Sequence, residues 1–200
     1  MKRIVTWLVF VVWLLPAAAS ADQRPAKGRL LVATELVGGE VFAKTVILLL
    51  HYDENGAMGI VVNRPTEVEP EELLADVDAI SGYSGTIYWG GPVRMNSLRA
   101  LLRTDIPPKG AQPVIDLVYQ VPIDDGLKDA LADLASLRLF IGYAGWDAGQ
   151  LDREMDRGSW HVVPASHEHV FAEDPRALWK QLAPPREYRA ATHSSHTPGL

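Results

Sequence analysis

The stretch KTVILLLHYDENGAMGIVVNRP, residues 44–65, decides the reading of the fold. Two apolar runs, Thr45 to Leu50 and Ala57 to Val62, flank a short polar link that ends in Asn55-Gly56. Asn-Gly is a hairpin signal because both residues tolerate the positive φ that a turn between right-twisted strands often needs. Val46, Ile47, Ile60, Val61 and Val62 are β-branched and suit a pleated, buried surface. Both runs are nearly continuous rather than alternating, so both faces of the hairpin are expected to be covered. A hairpin of that kind belongs at the centre of a sheet.

Outward from the hairpin, strands and helices are intermixed. Leu30 to Ala33 reads as a short strand, and Gly38-Gly39 breaks the chain before the hairpin. After it, Pro70 with Glu71 and Glu72 opens a helix whose apolar face is Leu73, Leu74 and Val77. Further strands are expected at Thr86 to Trp89, Ser97 to Arg103, Val114 to Val121, Arg138 to Tyr143 and Trp160 to Val163. Leu127, Leu131, Leu134 and Leu137 form the stripe of a helix capped by Asp124. Asp147 with Gln150 reads as a capping box opening a short helix that stops at Gly158. Asp174-Pro175 starts a terminal helix carrying Leu178, Trp179 and Leu182. With no repeat, no long linker and no regular βαβ alternation, the expectation is one α+β domain with a mixed sheet and peripheral helices. The 200 residues suffice for a real core.

The first 21 residues are set apart by composition. Lys2 and Arg3 precede an apolar run from Ile4 to Leu15, and Pro16 leads into Ala17-Ala18-Ala19-Ser20-Ala21. This is the pattern of a signal peptide cleaved before Asp22, and the run is short against the roughly 20 residues a membrane span needs. The expected organisation is a signal peptide over 1–21, a folded domain over 22–183 and a disordered tail over 184–200. Export to the periplasm without a transmembrane anchor follows. The lack of cysteine excludes disulfides and a lipid-anchoring Cys. Without Lys2 and Arg3 the chain holds 17 basic and 25 acidic residues, a net charge of −8. That balance argues against nucleic acid as a partner, because such binding rests on Lys and Arg neutralising phosphates.

Three blocks in series carry a family resemblance. They are Gly56-Ala57-Met58-Gly59-Ile60-Val61-Val62-Asn63-Arg64-Pro65, then Trp89-Gly90-Gly91-Pro92-Val93, then Gly142-Tyr143-Ala144-Gly145-Trp146-Asp147-Ala148-Gly149-Gln150-Leu151. In this order and spacing the chain resembles the YqgE/AlgH family from Gly28 to about Leu182. The resemblance implies a bifurcated sheet curled into a pseudo-barrel and a biochemical role that is not settled, with a link to transcriptional control. It departs from the family in its signal peptide and in the segment Thr34 to Phe42, where a Pro and an Asp-Pro are expected.

The polar residues of these blocks are the candidate site. Asn63 and Arg64 leave a core strand, and Arg64 could hold a carboxylate or phosphate bidentately or pair with Asp147 or Glu154. Gly90 and Gly91 could surround an anion with backbone N–H groups or simply allow close packing. Trp146, Asp147 and Gln150 open the following helix, and Trp89, Trp146 and Trp160 could form a stacking wall or core. His161, His167 and His169 lie close in sequence, and on a strand His167 and His169 would share a face. No defined ligand spacing accompanies them, so no metal or other cofactor is expected. Gly82-Tyr83-Ser84-Gly85-Thr86 fails the nucleophile elbow at its last residue.

The reading is therefore a non-catalytic binding or regulatory protein, exported, taking a protein or small ligand at Asn63, Arg64, Gly90, Gly91, Trp146, Asp147 and Gln150. Its alternatives are a hydrolase-like enzyme at Asn63, Arg64, Asp147 and Gln150, or a cytoplasmic transcriptional regulator with a misassigned start. A binding or catalytic site of this kind requires Asn63, Arg64 and Gln150 to converge.

Overall fold

A computed structural model describes residues 23–74, 77–80, 82–124, 127 and 136–184. The expected signal peptide, the Leu131 and Leu134 turns of the expected helix, and the tail from residue 185 lie outside these residues. The hairpin is there. Strand β1 (Arg29–Ala33) precedes β2 (Val46–Asp53) and β3 (Gly56–Val61), which pair antiparallel. Val46 to Leu50 are all buried. Its link sits one residue earlier than the Asn55-Gly56 signal suggests. Asp53 already faces Gly56 across the ladder, which leaves Glu54-Asn55 as the loop. The physical reason is the Asp53 side chain, whose Oδ1 accepts the Asn55 N–H at 2.8 Å.

The remaining strands are β4 (Ile87–Trp89), β5 (Val93–Arg103), β6 (Gln112–Ile115), β7 (Val118–Val121), β8 (Leu137–Asp147) and β9 (Trp160–Pro164). Their order is β6-β7-β5-β8-β3-β2-β1-β9, with β4 off this path on β8. The expected strand Val114 to Val121 is two strands. Asp116 takes φ +39° and turns the chain there, a conformation Asp tolerates better than its apolar neighbours. All pairings are antiparallel except β4 with β8, so the sheet is mixed. It also curls: a Cβ on Gly28, just before β1, would lie 2.8 Å from the Val114 carbonyl of β6, the strand at the far edge. The domain is an α+β half-barrel.

The sheet forks at β8. Gly56 to Gly59 of β3 pair directly with Ala144 to Asp147. Nearer the start of β8, β4 is wedged between them, pairing with Leu139 to Ile141 on one side. On the other side the Val61 N–H donates to Gly90 O and the Trp89 N–H to Arg64 O, both at 2.9 Å. The crotch has no room for side chains. A Cβ on Gly91 would collide with the Tyr143 backbone, and one on Gly142 with the Gly91 carbonyl. The three family blocks are thus the three arms of this fork. Gly142, at φ +68°, also reverses the strand's phase. Phe140 before it and Tyr143 after it both reach the inner cluster, whereas Ala144 and Trp146 turn to the outer face.

Three apolar clusters follow. The inner one joins Leu30, Leu48, Ile60, Leu101 and Phe140 beneath Val170 and Leu178 of the terminal helices. Those helices are α3 (His167–Val170) and α4 (Leu178–Leu182); α1 (Pro70–Leu73) and α2 (Gln150–Asp156) lie earlier in the chain. One outer cluster lies over β1, β2, β3 and β9 and includes Trp146, Leu151 and Trp160. The other lies over β5, β7 and β8 and includes Leu74, Ile80 and Leu127.

His167 and His169 are on helix α3, not on a strand, so their side chains do not share a face as the metal hypothesis required. His169 instead closes the start of that helix, its Nδ1 accepting the Ser166 N–H at 3.1 Å. Burial lowers its pKa, opposed in part by Glu168. The unfolded imidazole therefore takes up a proton first as pH falls through about 6.5. Stability is full above that value and declines below it. Urea midpoints at pH 7.5 and 5.5 should differ less for His169→Gln than for the parent; equal pH slopes would remove this assignment.

Candidate functional site

Trp146 near the end of β8 and Trp160 at the start of β9 reach the same outer face of the curled sheet. Their rings meet edge to face, with centroids 6.0 Å apart. Helix α2 lies against them and presents Gln150 and, one turn on, Glu154. Glu154 Oε2 accepts both indole N–H groups, from Trp146 at 2.9 Å and from Trp160 at 2.7 Å. Its Oε1 accepts from the Gln150 side chain at 3.0 Å. One carboxylate thus fixes two tryptophan planes and the helix that carries it.

A third aromatic wall comes from the segment between β1 and β2. Arg64 lies over the Trp89 ring at 4.9 Å and donates to Val41 O at 2.6 Å and Ala43 O at 2.8 Å. Burial lowers the pKa of this guanidinium. The two carbonyls flank Phe42, so Arg64 holds Phe42 in place by its backbone. The Phe42 ring lies 6.1 Å from those of both Trp89 and Trp160. Farther back, Thr34 ties the same segment to the corner before β9, its Oγ1 donating to Gly158 O at 2.7 Å. Between these walls lies a cleft of about 390 Å³. Phe42, Trp146 and Trp160 line it with Leu36 and Val37, and Arg157 stands at its exposed rim.

The sequence candidates therefore separate. Trp146 and Gln150 line the cleft, and Arg64 shapes it through Phe42. Asn63 is not in it. It is buried, with Oδ1 accepting the Val46 N–H at 2.8 Å and Nδ2 donating to Lys44 O at 3.0 Å. Gly90 and Gly91 are in the fork, closed by backbone contacts. Asp147 lines a second cavity of about 410 Å³ with His51, Met58 and Tyr143. Arg64 pairs with carbonyls instead of with Asp147 or Glu154. The capping box is half present: Gln150 accepts the Asp147 N–H at 3.1 Å, but Gly149, at φ +67°, occupies the cap position. Asn63, Arg64 and Gln150 do not converge. Among the described residues no cluster of His, Asp and Glu could hold a metal ion.

Phe42 and the role of Glu154 escape a reading from sequence. The four-residue spacing of Gln150 and Glu154 on a helix was the available signal. Glu154→Ala removes the acceptor of both indoles and should lower stability by about 2 kcal/mol or more, since hydrogen bonds to charged groups are the stronger kind. Tryptophan emission should change with it. An unaltered spectrum and unfolding midpoint would show the pairing to be inert.

The fork of three glycine-bearing arms and the cleft on its outer face define a class, small forked half-barrels of α+β type. The chain belongs to the AlgH-like family (DUF179), whose model matches residues 30–186. It is 35% identical over 161 residues to the UPF0301 protein of Streptomyces avermitilis, covering 78% of this chain and 83% of that one. It is 36% identical over 163 residues to a UPF0301 protein of Streptomyces coelicolor, with the same coverages. The solution structure of the AlgH protein from Pseudomonas aeruginosa matches with TM-score 0.61 at 24% identity, over 90% of this chain and 99% of that one. A crystal structure of protein DIP2367 from Corynebacterium diphtheriae gives 0.71 at 24% identity, over 80% and 87%. These two share the fold. The names of these relatives state no activity.

Proposed function

We propose that the protein is a non-catalytic binding protein of the exported compartment, and that its outer aromatic cleft takes a small ligand with a planar apolar group and an acidic end. One observation carries the reading. Asn63, Arg64 and Gln150 of the family blocks spend their hydrogen bonds on their own chain, and with Glu154 they build an aromatic wall. Asn63 and Arg64 hold the backbone around Phe42, while Gln150 and Glu154 hold the two indoles. Groups so engaged are poor candidates for proton transfer, which needs a side chain within reach of a substrate. The cleft volume, about 390 Å³, falls in the range of small-molecule sites. Arg157 at its rim supplies a charge for an acid. Export rests on the basic start, the apolar run and Ala17 to Ala21.

The test is recovery of ligand from a metabolite extract of the source organism at physiological salt. The parent protein should retain a compound carrying a ring and a carboxylate that Phe42→Ala loses. Equal recovery by the two proteins would reject the cleft. The same preparation dates the processing: the mature chain should begin at Asp22, and an intact Met1 in a soluble cytoplasmic fraction would reject export.

A further inference from the structure

The inner face of the half-barrel carries a feature that the outer cleft does not use. Arg99 and Arg103 of β5 and Arg138 of β8 share this face. Arg99 stands opposite Phe140 and Leu101 opposite Arg138, which makes the two arginines diagonal neighbours. Diagonal neighbours are about 7–8 Å apart at Cα, within reach for long side chains. Arg103, two residues beyond Leu101, faces Val118 of β7. Each guanidinium is stacked on an aromatic ring. Arg99 is 4.6 Å from Tyr143; Arg138 is 4.8 Å from Tyr88 and 5.4 Å from Phe171; Arg103 is 5.7 Å from the same Phe171. The result is a ladder of planar cations held apart by rings.

Not every donor of this ladder is engaged within the chain. Arg138 Nη2 donates to Ala172 O at 2.6 Å, but Arg138 Nη1 and Arg99 Nε are buried without a hydrogen-bond partner. Among the described residues, no carboxylate lies within 4.0 Å of any of the three guanidiniums. The chain does not want for acids, with 25 Asp and Glu against 19 Lys and Arg. A buried donor left unpaired costs about 1–3 kcal/mol, and native folds rarely keep two on neighbouring cations without a use. Arg103, at the outer end of the ladder, lines a cavity of about 250 Å³ with Thr104, Asp105, Leu117 and His167, and Arg99 and Arg138 lie behind it, outside its lining. Asp105 is exposed there, and Asp116 lies 4.0 Å from His167 rather than against an arginine.

We infer that this ladder is an anion site that takes a phosphate group, with Arg99 and Arg138 as inner donors and Arg103 at the entrance. Planar guanidiniums match phosphate oxygens bidentately. Arg99 and Arg138, diagonal neighbours with one free buried donor each, suit a doubly charged, four-oxygen anion better than a single carboxylate, which offers two oxygens. Each neighbouring ring already has a guanidinium over it. What enters is therefore the anionic head of a ligand, not its ring.

The experiment follows the arginine Nε–H resonances of the folded protein by NMR at constant ionic strength. Inorganic phosphate, a phosphate monoester and chloride are the titrants. Phosphate should shift the Arg99 Nε–H saturably and chloride should not. Losing one charge-assisted donor in Arg99→Gln should weaken binding about tenfold. Arg103 is exposed, so Arg103→Gln keeps the fold and should weaken binding at least threefold, which covers the case of an Arg99 variant that does not fold. Tighter binding of the monoester would identify the head group of a larger ligand; equal binding would identify free phosphate as the occupant. A shift that never saturates, one that chloride reproduces, or an affinity unchanged in the Arg103 variant would overturn the site.

Discussion

Gly91→Ala is expected to leave the chain unable to fold. Gly91 lies where β4 departs from the fork, at φ +150°. An added Cβ would fall well inside 3.0 Å of the Tyr143 carbonyl carbon and oxygen and of the Ala144 nitrogen. These are backbone atoms of the strand that pairs with β3, β4 and β5, so no side chain can swing away to make room. Relief requires separating β4 from β8 and breaking the Gly90 N–H to Ile141 O hydrogen bond, 2.7 Å long. Changes of that kind belong to the class of substitutions that cost more than about 4 kcal/mol. Small domains have only about 5–15 kcal/mol in total. Circular dichroism and urea unfolding are the measurements. A cooperative urea transition close to the parent midpoint would show that the fork tolerates a methyl group.

Asn63→Ala should cost about 3 kcal/mol, the second largest effect of a single change. Asn63 is 6% exposed and satisfies two backbone groups: the buried Val46 N–H and the part-buried Lys44 carbonyl. Each unsatisfied buried group costs about 1–3 kcal/mol. Lys44 adds to this because it stands at φ +58°, a region that residues with a Cβ enter only when the surroundings hold them there. Its carbonyl is held by Asn63. Asn63→Asp keeps the acceptor for Val46 but turns an oxygen toward the Lys44 carbonyl, so it should be destabilised nearly as much. Denaturant midpoints of the two variants are the check. A loss under about 1 kcal/mol in both would mean that water takes over the role of the side chain.

Both substitutions act on residues that the sequence marks plainly, yet for reasons it does not display. Gly90 and Gly91 leave both an anion nest and close packing open in the sequence, because a glycine announces only that a side chain is excluded. What excludes it is the opposing strand, at a separation of about 50 residues along the chain, and no local pattern records that approach. Asn63 and Arg64 likewise read as groups projecting from a strand end toward a ligand. Their actual partners are the carbonyls and N–H of residues 41–46, which lack any side-chain signature. The division of Val114 to Val121 into two strands was hidden for a related reason. Its turn residue, Asp116, is one polar position in a run of good strand formers.

The sequence by itself determined the central hairpin, because β-branched apolar runs on both sides of a tight polar link can bury both faces only inside a sheet. It determined the α+β class from the mixture of periodicities, and the family from three motif blocks in series. Only the tertiary structure decided that those blocks meet at a fork, and that Phe42, Trp146 and Trp160 share a cleft with Glu154 between two indoles. Contacts of that kind join residues more than a hundred positions apart, and they depend on where the sheet curls. Curl and strand order are set by the packing of the whole core, which no single stretch of the chain contains.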